Sequence, residues 1–461
     1  MTLRKLLTTT AITAAASMAI FGGSANAAKY IIIANGNSLP AEIYSQVGSS
    51  GGILQKNYSF GVGVAESSDP AFADKLLNVA NVKDVILDVG FDVQAVKTVE
   101  GEFGFPPNSG DNDIRFDLQW GHNYVGAQQS WENGHRGQDV VVAVLDGGFD
   151  TDHPDLAPNI IGVADMTGQG AEYNDNCPGD PFSHGTHVAG TVAAADNGFG
   201  VIGVAPEASL LLVKVLRDNP DDNPNTPALE CSGGGSFADV IAGIYYATDH
   251  GADVINMSLG TLVPRQGIGG GPDGNAGLSA LANAVDKAIT YAYQNGTTVI
   301  VSAGNDAHDL DGDGGVVRFN TGMSHAVGVS ALAPENWAGN NGNVGLDPAS
   351  YTNYGTSMVD FSAPGGDFDY PGNELCTVGG LTRPCWVFDL VFSDANGGGG
   401  YWSAGTSMAS PHAAGVAALI ISETGDSDPA HVIREMRRRS IDAGKKGRDD
   451  FYGHGIANTG N

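Results

Sequence analysis

Basic residues are scarce in this sequence. Its 461 residues include 22 Lys and Arg against 52 Asp and Glu, which gives a formal net charge of −30. Nucleic-acid phosphates would be repelled by such a chain, so a nucleic-acid partner is excluded. The acidity is typical of a solvated surface that resists aggregation, and it is also compatible with bound divalent cations.

Long apolar runs are missing except near the N-terminus. There Arg4 and Lys5 precede an Ala-rich apolar run (residues 6–21), and residues 25–27, Ala-Asn-Ala, have the small-x-small pattern of signal cleavage. The run is shorter than the ~20 residues that span a bilayer. We therefore expect residues 1–27 to be a cleaved signal peptide rather than a membrane anchor, and the protein to be secreted into the extracellular medium.

Cysteine is also rare, with four in the chain. In an exported protein such residues are candidates for disulfide bonds, and four cysteines allow three pairings. Cys376 and Cys385 close a short loop that contains Pro and Gly, which favours this pair and leaves Cys177 for Cys231. A metal site is the competing interpretation, but the sequence has no CxxC pattern to support it.

A small αβ unit follows the signal peptide. Residues 29–33 have the β-branched composition of a strand, residues 74–80 have a helical pattern, and residues 82–93 have strand character. Residues 101–114 are rich in Gly, Pro, Asn and Asp, as linkers are. We interpret residues 28–100 as a removable pro-domain ahead of this linker. A permanent N-terminal domain is the alternative.

Apolar strands alternate with helical patterns from residue 115 to the C-terminus. This alternation predicts an α/β domain, residues 115–461, in which a mostly parallel β-sheet is flanked by helices. Two inserts rich in Gly and Asp, residues 218–235 and 306–315, are expected to be surface loops. The strand-like runs are residues 140–145, 210–216 and 298–302, and the helical patterns are residues 237–250 and 278–295.

Three separated motifs contain residues that suit nucleophilic catalysis. Asp146 follows the apolar run Val-Ala-Val-Leu, at the carboxyl end of a strand, where parallel sheets hold their sites. His184 lies in Ser-His-Gly-Thr-His, before a helix of small residues. Ser407 lies in Gly-Thr-Ser-Met-Ala-Ser-Pro-His, where another small-residue helix begins. A metal pair of His184 and His187 is disfavoured, because no acidic ligand accompanies them at helical spacing.

These motifs, in the order Asp, His, Ser and with their flanking residues, resemble those of the subtilisin-like serine peptidases (subtilases). The resemblance extends over nearly all of residues 115–461. It implies the subtilisin-like fold and serine endopeptidase activity. His184 would then accept the proton of Ser407 as general base, while Asp146 holds the imidazole in the required tautomer.

Three neighbouring residues are interpreted through the same resemblance. His187 and His412 become structural, because the first histidine of the His-Gly-Thr-His block matches the catalytic base of the family. The family usually has Thr or Ser after the catalytic Asp, whereas this chain has Gly147. Gly147 lacks a hydroxyl that would support the carboxylate, so backbone N–H groups would have to compensate.

The tetrapeptide Gly-Thr-Ser-Met occurs twice, at residues 355–358 and 405–408. Ser357 is followed by a strand and an Ala-Pro-Gly turn that in the family precede the nucleophile, so Ser357 is expected to be structural. Ser407 is followed by a small apolar helix with Pro411 expected in its first turn. The dipole at the start of that helix favours developing negative charge.

The resemblance also assigns an oxyanion donor and a substrate cleft. Asn305, in Ser-Ala-Gly-Asn-Asp, matches the oxyanion residue of the family and would act with the backbone N–H of Ser407. A preference of Asp306 for basic substrate side chains remains open. The residues expected to pair with an extended peptide, and to wall the pocket for the residue before the cleaved bond, are Ser258, Leu259, Gly260, Ser302, Ala303 and Gly304.

Calcium is the cofactor that the resemblance implies. The offsets of Asp155 from Asp146, and of the loop at residues 195–201 from His184, match the tight calcium site of the family. Carboxylate, amide and carbonyl oxygens of this kind suit Ca²⁺. The ligands so assigned are Asp155, Ala195, Asn197, Phe199 and Val201, with Asp113 as a further ligand.

A second calcium site is an open alternative. Asp309, Asp311 and Asp313 lie in an Asp-x-Asp-Gly-Asp-Gly pattern that lacks the downstream Glu of an EF-hand. The pattern is equally compatible with an acidic surface loop.

The expected function is a secreted endopeptidase that forms an acyl-enzyme on Ser407 and is made as a self-processed zymogen. Its expected partners are protein substrates and its own pro-domain, an intramolecular inhibitor, with no nucleic acid, no membrane and no second subunit. One alternative is a peptidase fold that only binds peptides, although every catalytic side chain is present. An esterase is disfavoured, because its Gly-x-Ser-x-Gly elbow would precede the Asp and His.

Overall fold

Two αβ units make up the part of the chain that the computed structural model describes. The described residues are 27–93, 97–100, 112–220, 231–264, 274–312, 316–319, 321–340, 342, 344–369 and 372–460. Residues 1–26 of the predicted signal peptide and residues 101–111 of the predicted linker lie outside them. Within these ranges, no helix has both the length and the apolar character needed to cross a membrane.

The first unit is a four-stranded antiparallel sheet with two helices. Its elements are β1 (Ala28–Ala34), α1 (Ile43–Ser49), β2 (Gly52–Tyr58), β3 (Val62–Ser67), α2 (Phe72–Leu77) and β4 (Val82–Leu87). The strand order is β2-β3-β1-β4, so the first strand of the chain is central. This unit corresponds to the predicted pro-domain, and two short strands, β5 (Gly90–Val93) and β6 (Lys97–Glu100), follow it.

The first unit is buried on both faces of its sheet. Side chains alternate across a strand, so Ile32 packs with Phe72 inside the unit. Ile31 and Ile33 point the other way and belong to a core that they share with the second unit. All three isoleucines are fully buried. The first unit is therefore docked through an apolar sheet face and not only through its chain connection.

The second unit contains the large sheet. Its strands are β7 (Val141–Asp146), β8 (Ile160–Asp165), β9 (Ser209–Lys214), β10 (Leu216–Pro220), β11 (Cys231–Ser236), β12 (Val254–Met257), β13 (Leu262–Pro264), β14 (Thr298–Ser302), β15 (Val316–Arg318), β16 (Ala326–Pro334), β17 (Leu346–Pro348), β18 (Phe361–Pro364), β19 (Leu375–Val378), β20 (Leu381–Pro384), β21 (Val391–Ala395) and β22 (Gly399–Ala404). Its helices are α3 (Gly121–Val125), α4 (Ala127–Glu132), α5 (Tyr173–Asn176), α6 (His184–Ala193), α7 (Phe237–Asp249), α8 (Gly274–Gln294), α9 (Thr406–Thr424) and α10 (Pro429–Arg439).

The large sheet has eight strands in the order β17-β16-β14-β12-β7-β9-β8, with β18 also paired to β16. All its pairings are parallel except that of β17. Helices α6 and α9 pack on one face, while α7 and α8 pack on the other. The predicted α/β class, with a mostly parallel sheet flanked by helices, is confirmed.

Two predictions about local structure were wrong. Residues 82–93 are not one strand, because β4 joins the first sheet whereas β5 pairs with β11. The described ends of the insert at residues 218–235 are not loop either, since β10 and β11 pair antiparallel over five residue pairs. Gly and Asp weaken strand propensity, but here the missing side chain of Gly235 leaves room for the side chains of Leu216 and Phe91.

The disulfide between Cys376 and Cys385 is present, as the short loop suggested. These residues lie at β19 and directly after β20, which pair as a hairpin. The pairing of Cys177 with Cys231 stays a prediction, because the side chain of Cys231 lies outside the described part of the chain.

The buried strands of the large sheet should tolerate truncation poorly. Leu212 in β9 is fully buried, so Leu212→Ala should lower the free energy of unfolding by about 2–5 kcal/mol through lost burial and a residual cavity. The matched control is Ile161→Ala in the neighbouring β8, because Ile161 is 60% exposed and should change stability by about 0.5 kcal/mol or less. Equal shifts in the urea unfolding midpoint would contradict this placement of the core.

Candidate active site

Asp146, His184 and Ser407 lie at the ends of three elements. Asp146 is the last residue of β7, His184 the first residue of α6, and Ser407 the second residue of α9. The carboxyl ends of parallel strands and the starts of the helices that follow them meet at one edge of the sheet. The fold therefore brings together residues that are up to 261 positions apart in the sequence.

The carboxylate of Asp146 and the imidazole of His184 form a short hydrogen bond. His184 Nδ1 lies 2.7 Å from Asp146 Oδ1, and Asp146 is fully buried. The backbone N–H of Gly147 donates to the same oxygen at 2.7 Å. Backbone N–H thus supports this carboxylate where relatives have a hydroxyl, as the sequence analysis required.

A second carboxylate shapes the loop after Asp146. Asp218 accepts the N–H of Gly148 at 3.1 Å and forms an ion pair with the fully buried Lys214. A Cβ atom on Gly147 would lie 3.0 Å from Asp218 Oδ1, and one on Gly148 only 2.5 Å from Oδ2. The two glycines after Asp146 therefore make room for Asp218, a residue that sequence reasoning assigned only to a surface loop.

Opposing effects act on the pKa of His184. Burial lowers it, but the Asp146 carboxylate and its hydrogen bond outweigh burial, and the net pKa of His184 lies above its ordinary value. His184 Nε2 is buried and has no hydrogen-bond partner among the described residues. The imidazole is therefore fixed at Nδ1 and available for proton exchange at Nε2.

Ser407 and Ser258 are linked in both directions. The hydroxyl of Ser407 donates to the carbonyl of Ser258 at 3.2 Å, and the hydroxyl of Ser258 donates to the carbonyl of Ser407 at 2.8 Å. Pro411 is the sixth residue of α9, not in its first turn as predicted. Since proline has no N–H, the carbonyl four residues earlier lacks its helical donor, and that carbonyl belongs to Ser407. Ser258 supplies the missing bond.

Asn305 is oriented by Thr406, which sequence analysis did not identify. Its Oδ1 accepts the backbone N–H of Thr406 at 2.9 Å and the Thr406 hydroxyl at 2.8 Å. The Thr406 hydroxyl also accepts the N–H of Gly304 at 2.9 Å. These bonds occupy the amide oxygen, so the NH₂ group is the end of Asn305 left to donate. Ser407 is in the first turn of α9, where backbone N–H groups have no helical acceptor.

The predicted substrate segments follow two neighbouring strands. Ser258, Leu259 and Gly260 come directly after β12, and Ala303 and Gly304 come directly after Ser302, the last residue of β14. Because β12 and β14 are parallel neighbours, both segments leave the sheet at the same edge. The structure shows a further extended segment, β11, whose glycines pair with β5. An extended, Gly-rich run before a helix was the available signal for it.

Three residues that were predicted to be structural rather than catalytic have other partners. His187 Nε2 lies 3.1 Å from the carbonyl of Tyr401, and burial lowers the pKa of His187 to about 3. Burial likewise lowers the pKa of His412 to about 4. Ser357 is exposed, and its N–H donates to Asp311. These residues have structural roles in this fold.

The residues predicted to bind calcium lie together. Asp155 Oδ2 accepts the N–H of Val201 at 3.0 Å, and the N–H of Ala195 donates to the carbonyl of Asp155 at 2.8 Å. Asp113 Oδ1 accepts the N–H of Asn197 at 3.3 Å. In the same loop, the N–H of Phe199 donates to Asn197 Oδ1 at 3.0 Å.

A carboxylate that the sequence did not single out adjoins this loop. Ligand atoms of His153, Asp155 and Asp394 lie within 4.8 Å of one another, and all three residues are buried. Asp155 Oδ1 and Asp394 Oδ2 have no hydrogen-bond donor among the described residues. Burial raises the pKa of Asp155 to about 9 and of Asp394 to about 8. A buried carboxylate oxygen without a donor on each of two neighbouring residues fits a site that holds a hard cation.

The acidic loop at residues 309–313 is different. Asp309 Oδ1 accepts the N–H groups of Asp311 and Gly312, and Asp311 accepts the hydroxyl of Thr356 at 2.7 Å. Asp313 lies outside the described residues. The second calcium site gains no support from these contacts.

A carboxylate–imidazole pair, a serine in the first turn of a helix and an oriented amide side chain, all delivered to one edge of the sheet, are the groups that a serine hydrolase uses. Residues 137–455 match the subtilase family, peptidase S8. Subtilisin DY of Bacillus licheniformis is 32% identical over 345 residues, which cover 74% of this chain and 97% of that protein. Thermitase of Thermoactinomyces vulgaris is 32% identical over 307 residues, which cover 66% of this chain and 82% of that protein.

A solved structure agrees with these relatives. Fervidolysin from Fervidobacterium pennivorans, a keratinolytic enzyme related to subtilisin, is similar with a TM-score of 0.63 and 25% identity, covering 94% of this chain and 60% of that one. The chain belongs to the subtilase family and is a subtilisin-like serine endopeptidase.

The pKa of His184 can be measured directly. We expect its imidazole to titrate above the ordinary value of about 6.5, because Asp146 stabilises the protonated form. Asp146→Asn should move the titration below that value, since burial then acts alone. The control is His412, which should stay neutral down to about pH 4 in both proteins. An unchanged His184 titration in Asp146→Asn, followed by NMR of the imidazole nitrogens, would refute this account.

Proposed function

We propose that the protein is a secreted endopeptidase that cleaves peptide bonds through an acyl-enzyme on Ser407 and is made as a self-processed zymogen. The observation that carries the proposal is the 2.7 Å contact between Asp146 and His184, at the sheet edge where α9 begins, with Ser407 as its second residue. Similar proteins include subtilisins of Bacillus, which supports export together with the signal-like residues 1–27.

The chemistry follows from the positions of four groups. Nε2 of His184 takes the hydroxyl proton of Ser407 while Ser407 Oγ attacks the carbonyl carbon of the substrate. This step requires the Ser407 hydroxyl to turn away from the carbonyl of Ser258. Asp146 stabilises the imidazolium that forms. The NH₂ group of Asn305 and the N–H of Ser407 donate to the oxyanion. His184 then gives the proton to the leaving amine, and water releases the acyl group by the same steps.

Peptide binding by strand addition is supported by the chain itself. In β5, the backbone of residues 90–93 pairs antiparallel with β11, with Val93 opposite Gly233. In β6, residues 97–100 pair antiparallel with β22, with Lys97 opposite Ala404. An extended substrate would use the same main-chain groups, so recognition depends on backbone first and on side chains second.

The same pairings support a zymogen. Strand β6 pairs with β22, which ends three residues before Ser407, and β5 pairs with β11, so we propose that the bond cleaved in maturation lies between Val93 and Lys97. The first unit would remain as an inhibitor after cleavage, because it is docked independently of that bond. Tyr58 stacks on Tyr245 with ring centroids 4.5 Å apart, and Asp88 accepts the N–H of Ala238 at 3.1 Å.

Ser407→Ala should abolish both self-processing and hydrolysis of casein, because it removes the proposed nucleophile and the neighbouring Thr406 hydroxyl is bonded to Asn305. The full-length chain should persist, whereas the unchanged protein should yield a new N-terminus between residues 94 and 97 by mass spectrometry. Ser357→Ala, in the duplicate Gly-Thr-Ser-Met, is the matched control and should process normally. Labelling of the unchanged enzyme by a fluorophosphonate at a residue other than Ser407 would refute the assignment.

We propose calcium as the resident ion of the loop around Asp155. Asp113, Asp155 and Asn197 would supply side-chain oxygens, and Ala195, Phe199 and Val201 would supply carbonyls. Asp394 adjoins this site. The buried Oδ1 of Asp155 without a donor supports the proposal. The ion would neutralise buried carboxylates and hold the loop, at a distance from the chemical step.

Removal of calcium should lower thermal stability. With a chelator, we expect the unfolding midpoint to fall by about 5 °C or more, the effect of losing a ligand present well above its Kd, and autolysis to accelerate. Asp155→Asn should remove most of this response. Asp309→Asn is the control. Because Asp309 Oδ1 already accepts backbone N–H groups, this variant should respond to the chelator like the unchanged protein. No effect of chelator on the unchanged protein would rule the site out.

A further inference from the structure

A guanidinium group lies between the two substrate segments. Arg318, the last residue of β15, is 5% exposed. Its Nη2 is 3.0 Å from the position that a Cβ on Gly260 would take, and its Cζ is 2.5 Å from the corresponding position on Gly304. Gly260 and Gly304 belong to the segments after β12 and β14 that are proposed to wall the pocket for the P1 residue, which precedes the cleaved bond. Arg318 therefore faces that pocket through the gaps left by two glycines.

Main-chain pairing fixes Arg318 in this position. Strand β15 pairs antiparallel with β13, with Arg318 opposite Leu262. The next residue, Phe319, donates its N–H to the carbonyl of Thr261 at 3.1 Å. Since β13 begins two residues after Gly260, this ladder holds the guanidinium beside the pocket wall.

The positive charge of Arg318 is poorly compensated. Its nearest carboxylate is Asp306, with 3.9 Å between Nη1 and Oδ2, and that side chain is 48% exposed. Asp306 Oδ2 already accepts a hydrogen bond from Asn353 at 2.9 Å. Arg318 Nε has no hydrogen-bond partner among the described residues. Burial lowers the pKa of Arg318 to about 10, so the group is still charged at neutral pH.

We propose that Arg318 makes this enzyme select substrates with an acidic P1 side chain, glutamate or aspartate. The proposal rests on the proposed function, because it needs the pocket to hold the P1 residue. A carboxylate there would meet the flat, forked donor group that suits bidentate pairing, and it would compensate a buried cation. A basic P1 residue would be repelled, so the preference for basic side chains left open for Asp306 is not supported.

Self-processing is a separate case. The sequence between β5 and β6 is Gln94-Ala95-Val96, which offers no carboxylate. The inference therefore concerns substrates cleaved in trans, where the bond is not already held in place by the chain. Arg318→Gln should still process itself, and that processing shows that the variant folds.

The test uses tetrapeptide p-nitroanilides that differ only at P1, with Glu, Gln, Ala, Phe or Lys. The enzyme is the self-processed product of the full-length chain, and active sites are counted by fluorophosphonate labelling of Ser407. We expect kcat/KM for Glu to exceed that for Gln by about 30-fold or more, as for a buried charge pair. Arg318→Gln should bring the two values together, and Arg318→Lys should restore part of the difference.

A second measurement needs no variant at Arg318. The Glu-to-Gln ratio of the unchanged enzyme should fall as the pH is lowered towards about 4.3, where the substrate glutamate becomes protonated. Asp306→Asn should raise the ratio at neutral pH, because it removes the competing carboxylate.

The outcomes separate the inference from the function that it rests on. Equal kcat/KM values for Glu and Gln would overturn the inference. A higher value for Ala than for Glu would also overturn it, because the guanidinium would then only fill the pocket. In both cases, labelling of Ser407 would still uphold the proposed function. An absence of both labelling and hydrolysis would overturn the two together.

Discussion

The parallel register of β7, β12 and β14 is the constraint on which the site depends. These three strands pair as neighbours, so their carboxyl ends form one edge. The residues that end or directly follow one strand therefore lie beside those that end or directly follow the neighbouring strand. Asp146 comes from β7, the Ser258 segment from β12 and the Asn305 segment from β14. A shift of one strand by a single residue would turn its side chains to the opposite face and separate the carboxylate, the oxyanion donor and the peptide-binding backbone.

Burial has a different consequence in each part of the molecule. The first unit contributes Ile31 and Ile33 to a core that it shares with α7, α8 and the large sheet, so the apolar area that helps the second unit fold also holds the first unit in place. Buried charges mark the sites instead. The paired carboxylates of Asp155 and Asp394, and the guanidinium of Arg318, are costly to bury without a counter-ion. Arg115 offsets part of the charge of the two carboxylates, and Asp306 offsets part of the charge of Arg318. The proposed ligands, a calcium ion and an acidic P1 side chain, would offset the remainder.

Sequence patterns predicted the elements whose side chains are dictated by burial. The run at residues 298–302 coincides with β14, and the helix predicted at residues 237–250 ends one residue early. The proposed catalytic residues were predicted from motif order and flanking residues. Strand β11 was missed because its glycines have low strand propensity and because β5, one of its two partners, lies some 140 positions earlier. The neighbourhood of Arg318 was missed for a related reason: the sequence gives the charge of a residue but not the glycines that leave room beside it.

The exchange of hydrogen bonds between Ser258 and Ser407 has a mechanical consequence. Because Pro411 removes the helical donor for the Ser407 carbonyl, the first turn of α9 is anchored to the Ser258 segment, which is proposed to pair with substrate. Fraying of this helix end would release the Ser258 segment at the same time, and displacement of that segment would loosen the helix. Nucleophile and substrate platform thus form one cooperative unit in local opening, and damage to either is expected to silence the site before the remainder of the fold is lost.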